Sequence, residues 1–172
     1  MVRIAKPQDA EAINVLRRQV NDLHVNGRPN HFKAGFHQEL QDHVYMYLAG
    51  GIGYAAVDEE DGQICGMVLV DFIDRPESPY RYAERFAHIA EICVDESHRR
   101  QGIGKALLNF VKADAKAKGL SRVELDVWAF NDALAFYEAE GFSVFRRYLE
   151  YRLDSEPEAP SRTKGDQNTQ TE

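Results

Sequence analysis

The residues with the clearest chemical potential lie in one polar segment, Arg99 to Ala106, which reads Arg-Arg-Gln-Gly-Ile-Gly-Lys-Ala. It follows an apolar run that ends at Val94 and precedes apolar residues at helical spacing. Glycine lets a backbone approach a phosphate closely, and the first N–H groups of a helix have no partner within the helix. Because the helix dipole adds positive charge at the same end, the segment predicts an anion-binding loop, with Arg99, Arg100 and Lys105 as cationic partners.

Two common nucleotide-binding loops do not match this segment. A Walker loop has Ser or Thr after its lysine and a glycine six residues before it, whereas Ala106 and Arg99 occupy those positions. The dinucleotide-binding fingerprint needs a third glycine where Leu107 stands. A glycine pair can also be only a tight turn before a helix, so the loop alone leaves its ligand open.

Composition narrows the functional classes. The 172 residues carry 21 Lys and Arg against 28 Asp and Glu, a formal charge of −7 that disfavours nucleic-acid binding and suits a neutral or cationic partner. Cys65 and Cys93 lie in separate apolar runs and the histidines lack metal-ligand spacing, so neither a disulfide framework nor a metal site is expected. Charged N-terminal residues and short apolar runs predict a cytoplasmic protein that does not span a membrane.

The pattern of apolar residues predicts a single α/β domain over residues 1–153. The expected elements are a strand at 2–5, helices at 7–27 and 36–48, a hairpin of strands 54–57 and 64–73, a strand at 86–94, a helix at 102–118, a strand at 123–127, a helix at 131–140 and a final strand at 142–153. Residues 154–172 contain no large apolar side chain and are expected to form a disordered tail.

Two motifs of this sequence resemble motifs of the GCN5-related N-acetyltransferase (GNAT) superfamily and occur in the same order along the chain. Its signature, Arg or Gln, two residues, Gly, one residue, then Gly or Ala, is matched by Arg99, Gly102 and Gly104. The segment from Asn131 to Phe142 is similar to the family's downstream helix, in which an Asn, a Phe-Tyr pair and a Gly-Phe recur. The resemblance implies a twisted mixed sheet of about six to seven strands with about four helices, splayed between the fourth and fifth strands.

The resemblance also implies acetyl-CoA as the acetyl donor. Its pyrophosphate is expected on the glycine loop, its pantetheine arm along strand backbone, and its cysteamine end near the downstream helix. The implied binding residues are Ile92, Cys93, Val94, Arg99, Arg100, Gln101, Gly102, Ile103, Gly104, Lys105, Ala106, Asn131, Phe136 and Tyr137.

Acetyl transfer to an amine requires that the amine lose a proton and that the leaving thiolate gain one. The resemblance offers Tyr137 as the acid and a backbone N–H near Cys93 as the donor to the thioester carbonyl. Glu91 leads as the base, because an unpaired carboxylate among apolar neighbours would have a raised pKa. Asp126 is the second candidate and His88 the third, and a water chain could replace all of them.

The sequence therefore predicts an N-acetyltransferase that acts on a primary amine of a small molecule by direct attack in a ternary complex. A covalent route through Cys93 is disfavoured, since no activating base adjoins it in the sequence. Two alternatives stay open: a protein or peptide N-terminal or lysine acetyltransferase, and a non-catalytic acyl-CoA sensor. The resemblance also suggests a homodimer, with the final strand and its aromatic side chains as a candidate interface.

Overall fold

The computed structural model describes residues 1–153 and contains one open β-sheet whose strands lie in chain order. The strands are β1 (Val2–Ile4), β2 (Gly53–Glu60), β3 (Gln63–Arg75), β4 (Glu84–Val94) and β5 (Val123–Leu125). Neighbours from β1 to β4 pair antiparallel, and β4 pairs with β5 in parallel, so the sheet is mixed as predicted.

Five α-helices accompany the sheet within the described residues. They are α1 (Ala10–Gly27), α2 (Gln38–Asp42), α3 (Val44–Leu48), α4 (Ile103–Ala117) and α5 (Leu134–Ala139), with short 3-10 turns at Pro7–Asp9 and Glu96–His98. None of the helices within residues 1–153 is long and apolar enough to cross a membrane.

Each face of the sheet carries its own apolar core. The core on the α4 face includes Val68, Val70, Ile89, Leu107, Leu108 and Val111. The core on the α1 face includes Ile13, Leu16, Val57, Met67 and Leu69. Successive side chains of β2 and β3 point alternately into the two cores. Both sets of side chains are therefore apolar, and these strands appear in the sequence as continuous apolar runs.

The hairpin predicted from the Asp-Gly pair is confirmed. β2 and β3 are joined through Asp61 and Gly62, which both adopt positive φ, 49° and 80°. This is the backbone of a type I′ turn, whose twist matches that of the strands it joins.

One extra residue interrupts the pairing of β4 with β3. Leu69 pairs with Glu91 while the next residue, Val70, pairs with Ile89, so Ala90 is an unpaired bulge. Side chains alternate between faces along a strand, and one inserted residue reverses that alternation. Ile89 therefore faces α4 before the bulge, whereas Glu91 after it faces α1.

β4 and β5 pair over a short length only. The paired residues run from Ala87 with Val123 to Ile89 with Leu125, while β4 itself continues to Val94. Within the described residues no strand lies beside this second half of β4 on the β5 side. The opening lies between the fourth and fifth strands, where the resemblance placed it; we call it the gap.

The prediction of six to seven strands is not confirmed, because the sheet has five. The expected final strand at 142–153 is wrong: Phe142 to Leu153 contains neither helix nor strand. Two adjacent arginines, Arg146 and Arg147, interrupt both alternating sets of side chains, so neither face of this segment is continuously apolar. Residues 1–142 form one compact unit, Ser143 begins a second, and the predicted tail at 154–172 lies outside the described residues.

The single helix predicted at 36–48 is also wrong, since it is divided into α2 and α3 at His43. An unbroken helix would use the carbonyl oxygen of Leu40 to accept the N–H of Val44. That oxygen instead accepts a hydrogen bond from the Arg17 guanidinium, and the next carbonyl, of Gln41, accepts from Asn14 Nδ2 at 3.1 Å. Side chains of α1 thus satisfy the last carbonyls of α2.

At Gly66 on β3, α4 packs so close to the sheet that a side chain would collide with it. A Cβ atom there would lie 2.6 Å from Ile103 Cγ2 and 3.1 Å from Leu107 Cδ1. Because β-branched Ile103 has little rotamer freedom in a helix, we expect Gly66→Ala to lower the free energy of unfolding by about 1 to 3 kcal/mol. Urea denaturation measures this value. Gly51→Ala is the control, since a Cβ at Gly51 meets nothing within 4 Å; equal loss in both variants would refute the packing argument.

Candidate functional site

The glycine loop adopts the geometry of an anion cradle. Arg100 and Gly102 both have positive φ, 66° and 88°, and α4 begins at the next residue, Ile103. The first N–H to bond back within this helix is that of Ala106, to the Gly102 oxygen at 3.0 Å. The preceding N–H groups at the start of α4 are therefore the unpaired donors that an anion accepts from.

Gly104 brings the cradle close to two other elements. A Cβ atom there would lie 3.1 Å from Phe136 Cζ on α5 and 3.7 Å from Val94 Cγ2 at the end of β4. The first turn of α4 thus lies close both to the end of β4 and to Phe136 of α5. The structure brings together the two motifs that the sequence separates by some thirty residues.

Asp95 fixes the chain between β4 and the cradle. Its carboxylate accepts hydrogen bonds from the Ser97 N–H at 3.0 Å and from Gln19 Nε2 on α1 at 3.0 Å, and it lies 3.3 Å from His98 Nδ1. Hydrogen bonds, that of the Ser97 hydroxyl first, hold the pKa of Asp95 well below its usual range. Sequence reasoning missed this residue, although an Asp two residues before a Ser at the end of a strand is a recognisable turn signal.

Two of the three cations predicted for the cradle have acidic neighbours. Arg99 Nη2 lies 3.5 Å from Glu96 Oε1, and Lys105 Nζ lies 3.3 Å from Glu140 Oε1. Arg99 and Lys105 remain more than half exposed, so solvent screens both pairs. Neither acidic partner was predicted, because each depends on how the loop and α5 fold.

Tyr137 projects from α5 into the core beside the gap. It is 9% exposed and packs against the rings of Phe136 and Phe142, at centroid distances of 5.3 and 6.0 Å. Burial, with a smaller contribution from Cys93, raises the pKa of Tyr137 to about 12. The phenol is therefore protonated at neutral pH and can donate a hydrogen bond.

Two other residues of the predicted site, Asn131 and Cys93, have defined surroundings in the structure. The Asn131 side-chain oxygen accepts the Ala133 N–H at 3.0 Å and so caps the turn that leads into α5. Burial raises the pKa of the Cys93 thiol to about 11. A protonated thiol is a poor nucleophile, which agrees with the prediction against a covalent route.

Glu91 does not have the environment expected from its apolar neighbours. The carboxylate is paired, with Arg17 Nε donating to Oε2 at 3.0 Å and Arg17 Nη2 donating to Oε1 at 2.9 Å. The expectation of an unpaired carboxylate is wrong, because the bulge at Ala90 turns Glu91 toward α1. The Glu91 side chain retains 24% of its exposure and so reaches the surface at the gap, whereas its partner Arg17 is buried.

The other two candidate bases lie where β4 and β5 are paired or just beyond. His88 pairs across the sheet with Glu124, and its Nδ1 lies 4.0 Å from that carboxylate. Asp126 follows the last residue of β5 and is exposed. Because β5 ends at Leu125, the prediction that Asp126 lies within a strand is wrong.

Carboxylates line the α1 face of the sheet next to Glu91. Asp71 on β3, His88 on β4 and Glu124 on β5 are directly paired neighbours and so form one row across three strands. Tyr47 of α3 lies against this row; burial first, and then the charge of Asp71, raises its pKa. The row places two carboxylates on the sheet face beside Glu91, and sequence reasoning missed Glu124.

An aromatic cluster lies at the end of α1. His24 stacks on Phe32 at a centroid distance of 5.1 Å, and Phe32 contacts Trp128 edge-on at 5.3 Å. Trp128 in turn stacks on Phe130 at 5.9 Å. The cluster joins the loop that follows α1 to the segment that follows β5, and burial lowers the pKa of His24.

Known proteins resemble the chain in sequence and fold. The family model described as "Acetyltransferase (GNAT) family" matches residues 18–142. Mouse N-acetyltransferase family 8 member 3 is 30% identical over 74% of this chain and 56% of its own length. The L-ornithine N5-acetyltransferase of Arabidopsis thaliana is 38% identical over 45% of this chain and 35% of its own length.

The fold has solved counterparts. The BH1408 protein of Bacillus halodurans, solved as a mutant, superposes with a TM-score of 0.85 and 27% identity over 89% of this chain and 99% of that one. The chain spans about half the length of the first curated relatives it matches.

The hydrogen bonds of Asp95 predict a contribution to the free energy of unfolding that depends on pH. We expect Asp95→Ala to lower the free energy of unfolding by about 1 to 2 kcal/mol at pH 7, because the Ser97 and Gln19 donors lose their acceptor. The lowered pKa of Asp95 means that its contribution is complete above pH of about 4 and is lost as pH falls further. The difference between variant and wild type should therefore shrink in acid, as chemical denaturation at several pH values measures.

The control is Asp132→Ala, which removes an exposed carboxylate and should leave stability unchanged at every pH. A stability difference for Asp95→Ala that does not depend on pH would contradict the assigned hydrogen bonds.

Proposed function

The chain belongs to the GNAT acetyltransferase family, and from that premise we propose that it transfers the acetyl group of acetyl-CoA to a primary amine of a small molecule by direct attack in a ternary complex. The observation that carries the proposal is the gap. There the Glu91 side chain projects from the unpaired half of β4 toward α1, and Tyr137 belongs to the core on the opposite face of the sheet. Two proton-handling groups on opposite sides suit a reaction in which one partner loses a proton and the other gains one.

The residues of the cradle fit acetyl-CoA. Unpaired N–H groups at the start of α4, positive φ at Gly102 and the missing side chain at Gly104 suit a pyrophosphate, which Arg99, Arg100 and Lys105 complement in charge. The backbone of Ile92, Cys93 and Val94 has no strand partner on the β5 side within residues 1–153 and suits the amides of a pantetheine arm. When bound, acetyl-CoA supplies the acetyl thioester.

Tyr137 is the proposed general acid. Its pKa of about 12 keeps the phenol protonated at neutral pH, and Cys93, whose charge would influence that value, lies near it on the edge of β4. From there Tyr137 can donate a proton toward the departing sulfur. A backbone N–H near Cys93 is the proposed donor to the carbonyl oxygen of the thioester.

Glu91 remains the proposed group that receives the amine proton, directly or through water. It lies on the unpaired half of β4, whereas His88 lies in the paired half beside Glu124 and Asp126 is exposed beyond β5. Asp126 and His88 are the second and third candidates. Each Glu91 oxygen accepts one bond from Arg17 and keeps a lone pair with which it can accept a hydrogen bond from an ammonium group before that group loses its proton.

The acidic row beside Glu91 favours a cationic acceptor. Asp71 and Glu124 share the face on which Glu91 lies, so a molecule with a second positive charge would find carboxylates there. The relative named as an L-ornithine N5-acetyltransferase acts on a substrate of this kind. A protein or peptide acceptor is the alternative, and a non-catalytic acyl-CoA sensor is the second one. The cytoplasmic location and the homodimer stay predictions.

The first test measures thiol release from acetyl-CoA with polyamines, diamino acids, aminoglycosides and short peptides as acceptors. We expect turnover with a small cationic amine and a kcat about 10²-fold lower in Tyr137→Phe, because the variant cannot protonate the leaving sulfur. Tyr54→Phe is the matched control, since Tyr54 is also buried in the core on the α4 face. Equal loss in both variants would assign Tyr137 to packing, and acetyl-CoA binding without thiol release for any acceptor would favour the sensor.

A second test concerns the cradle alone. Gly104→Val would place a branched side chain into the contact with Phe136 and Val94, so we expect acetyl-CoA to bind at least about tenfold more weakly. Isothermal titration calorimetry measures the affinity without turnover. Gly51→Val, in open space, is the control. Unchanged affinity in Gly104→Val would contradict the proposed binding site.

A further inference from the structure

Arg17 is a charged residue in the middle of the apolar face of α1. It is 3% exposed and lies among Ile13, Leu16 and Val20, which pack on the sheet. Position 17 is one helical turn after Ile13, where the pattern of the helix calls for an apolar side chain. Burying a guanidinium is costly unless it is fully paired, so its partners explain its presence.

The guanidinium of Arg17 binds three elements at once. Nε and Nη2 donate to the two oxygens of Glu91 on β4, and Nη1 donates to Asn14 Oδ1 at 3.1 Å and to the Leu40 oxygen of α2. Its charge also lies 5.5 Å from the centroid of the Phe36 ring. Arg17 therefore ties the end of α2 and the loop before it to the carboxylate at the gap.

Stability alone does not account for this arrangement. A buried ion pair replaced by apolar side chains of similar size is often as stable or more stable. What a bidentate pair supplies instead is orientation, because two parallel N–H···O bonds fix the plane of the carboxylate. Each Glu91 oxygen accepts one bond from Arg17 and keeps a second lone pair for another donor.

We propose that Arg17 is a positioning residue for the amine acceptor: it holds the Glu91 carboxylate in one orientation at the gap. This inference rests on the proposed function. It extends that function by assigning to α1 a residue that acts on the acceptor only through Glu91.

Several charged and titratable groups surround the Glu91 carboxylate and bear on which of them holds its orientation. Arg17 and His24 face it from α1, Tyr47 from α3, and Cys93 follows it on β4. Burial lowers the pKa of His24 and raises those of Tyr47 and Cys93, and the negative charge of Glu91 adds a smaller upward effect on all three. Of these four neighbours, Arg17 is the permanent cation, and it is the group bonded to both carboxylate oxygens.

The experiment compares Arg17→Met, Arg17→Lys, Glu91→Gln and the double variant Arg17→Met/Glu91→Gln with wild type. In Arg17→Met we expect kcat/KM for the amine to fall about 10- to 100-fold while KM for acetyl-CoA stays unchanged. Arg17→Lys keeps the charge without the planar fork, so kcat should remain reduced although a cation is still present.

The double variant guards against misfolding, because it removes the buried positive and negative charges together. If Arg17 acts through Glu91, the double variant should be no less active than Glu91→Gln alone. Additive losses, or an Arg17→Lys variant as active as wild type, would overturn the proposal and leave Arg17 without a positioning role.

A readout that needs no turnover separates this inference from the proposed function. Carbon-13 NMR of the Glu91 side-chain carboxyl compares its chemical shift and line width, at one pH, in wild type and in Arg17→Met. A signal that broadens or moves in the variant supports the proposal, and an unchanged signal overturns it. A wild-type protein that acetylates no amine would refute the proposed function, and with it the role toward the acceptor, whatever the NMR result.

Discussion

The extra residue at Ala90 is the constraint on which the rest of the site depends. Without it, the alternation that sends Ala87 and Ile89 toward α4 would send Glu91 there too, into an apolar core of leucines and valines. With it, Glu91 meets Arg17 on α1, while Ile92 and Val94 stay packed beneath α4. A single inserted residue thus lets one strand serve the core on one face and the proposed chemistry on the other.

Much of the architecture could be predicted because its causes are local in sequence. The Asp61-Gly62 turn, the glycines that open α4 and the apolar periodicity of α1 and α4 each specify their own geometry within a few residues. The bulge left no such local trace, because apolar residues fill seven of the nine positions from 86 to 94 and show no change of phase.

What could not be predicted depends on partners distant in the chain. Glu91 was expected to be unpaired because its donor lies 74 residues earlier, at a position where α1 should carry an apolar side chain. The break between α2 and α3 has the same origin, since Arg17 takes the Leu40 carbonyl out of the helix. Among the predicted site residues, Gly104, Val94, Phe136 and Tyr137 do come together, but the acidic row of Asp71 and Glu124 follows from strand register, which the sequence alone leaves undetermined.

The unpaired half of β4 has a further consequence, for solubility. Backbone N–H and C=O groups without a neighbouring strand invite another chain to add itself, which is how exposed sheet edges lead to aggregation. Proteins counter this hazard with bulges that distort an edge and with charged side chains set along it. β4 has a bulge at Ala90 and a charge at Glu91 where its open stretch begins. The features that would receive a substrate therefore also discourage a strand from another molecule, and a variant that straightened β4 would lose protection against self-association along with the site.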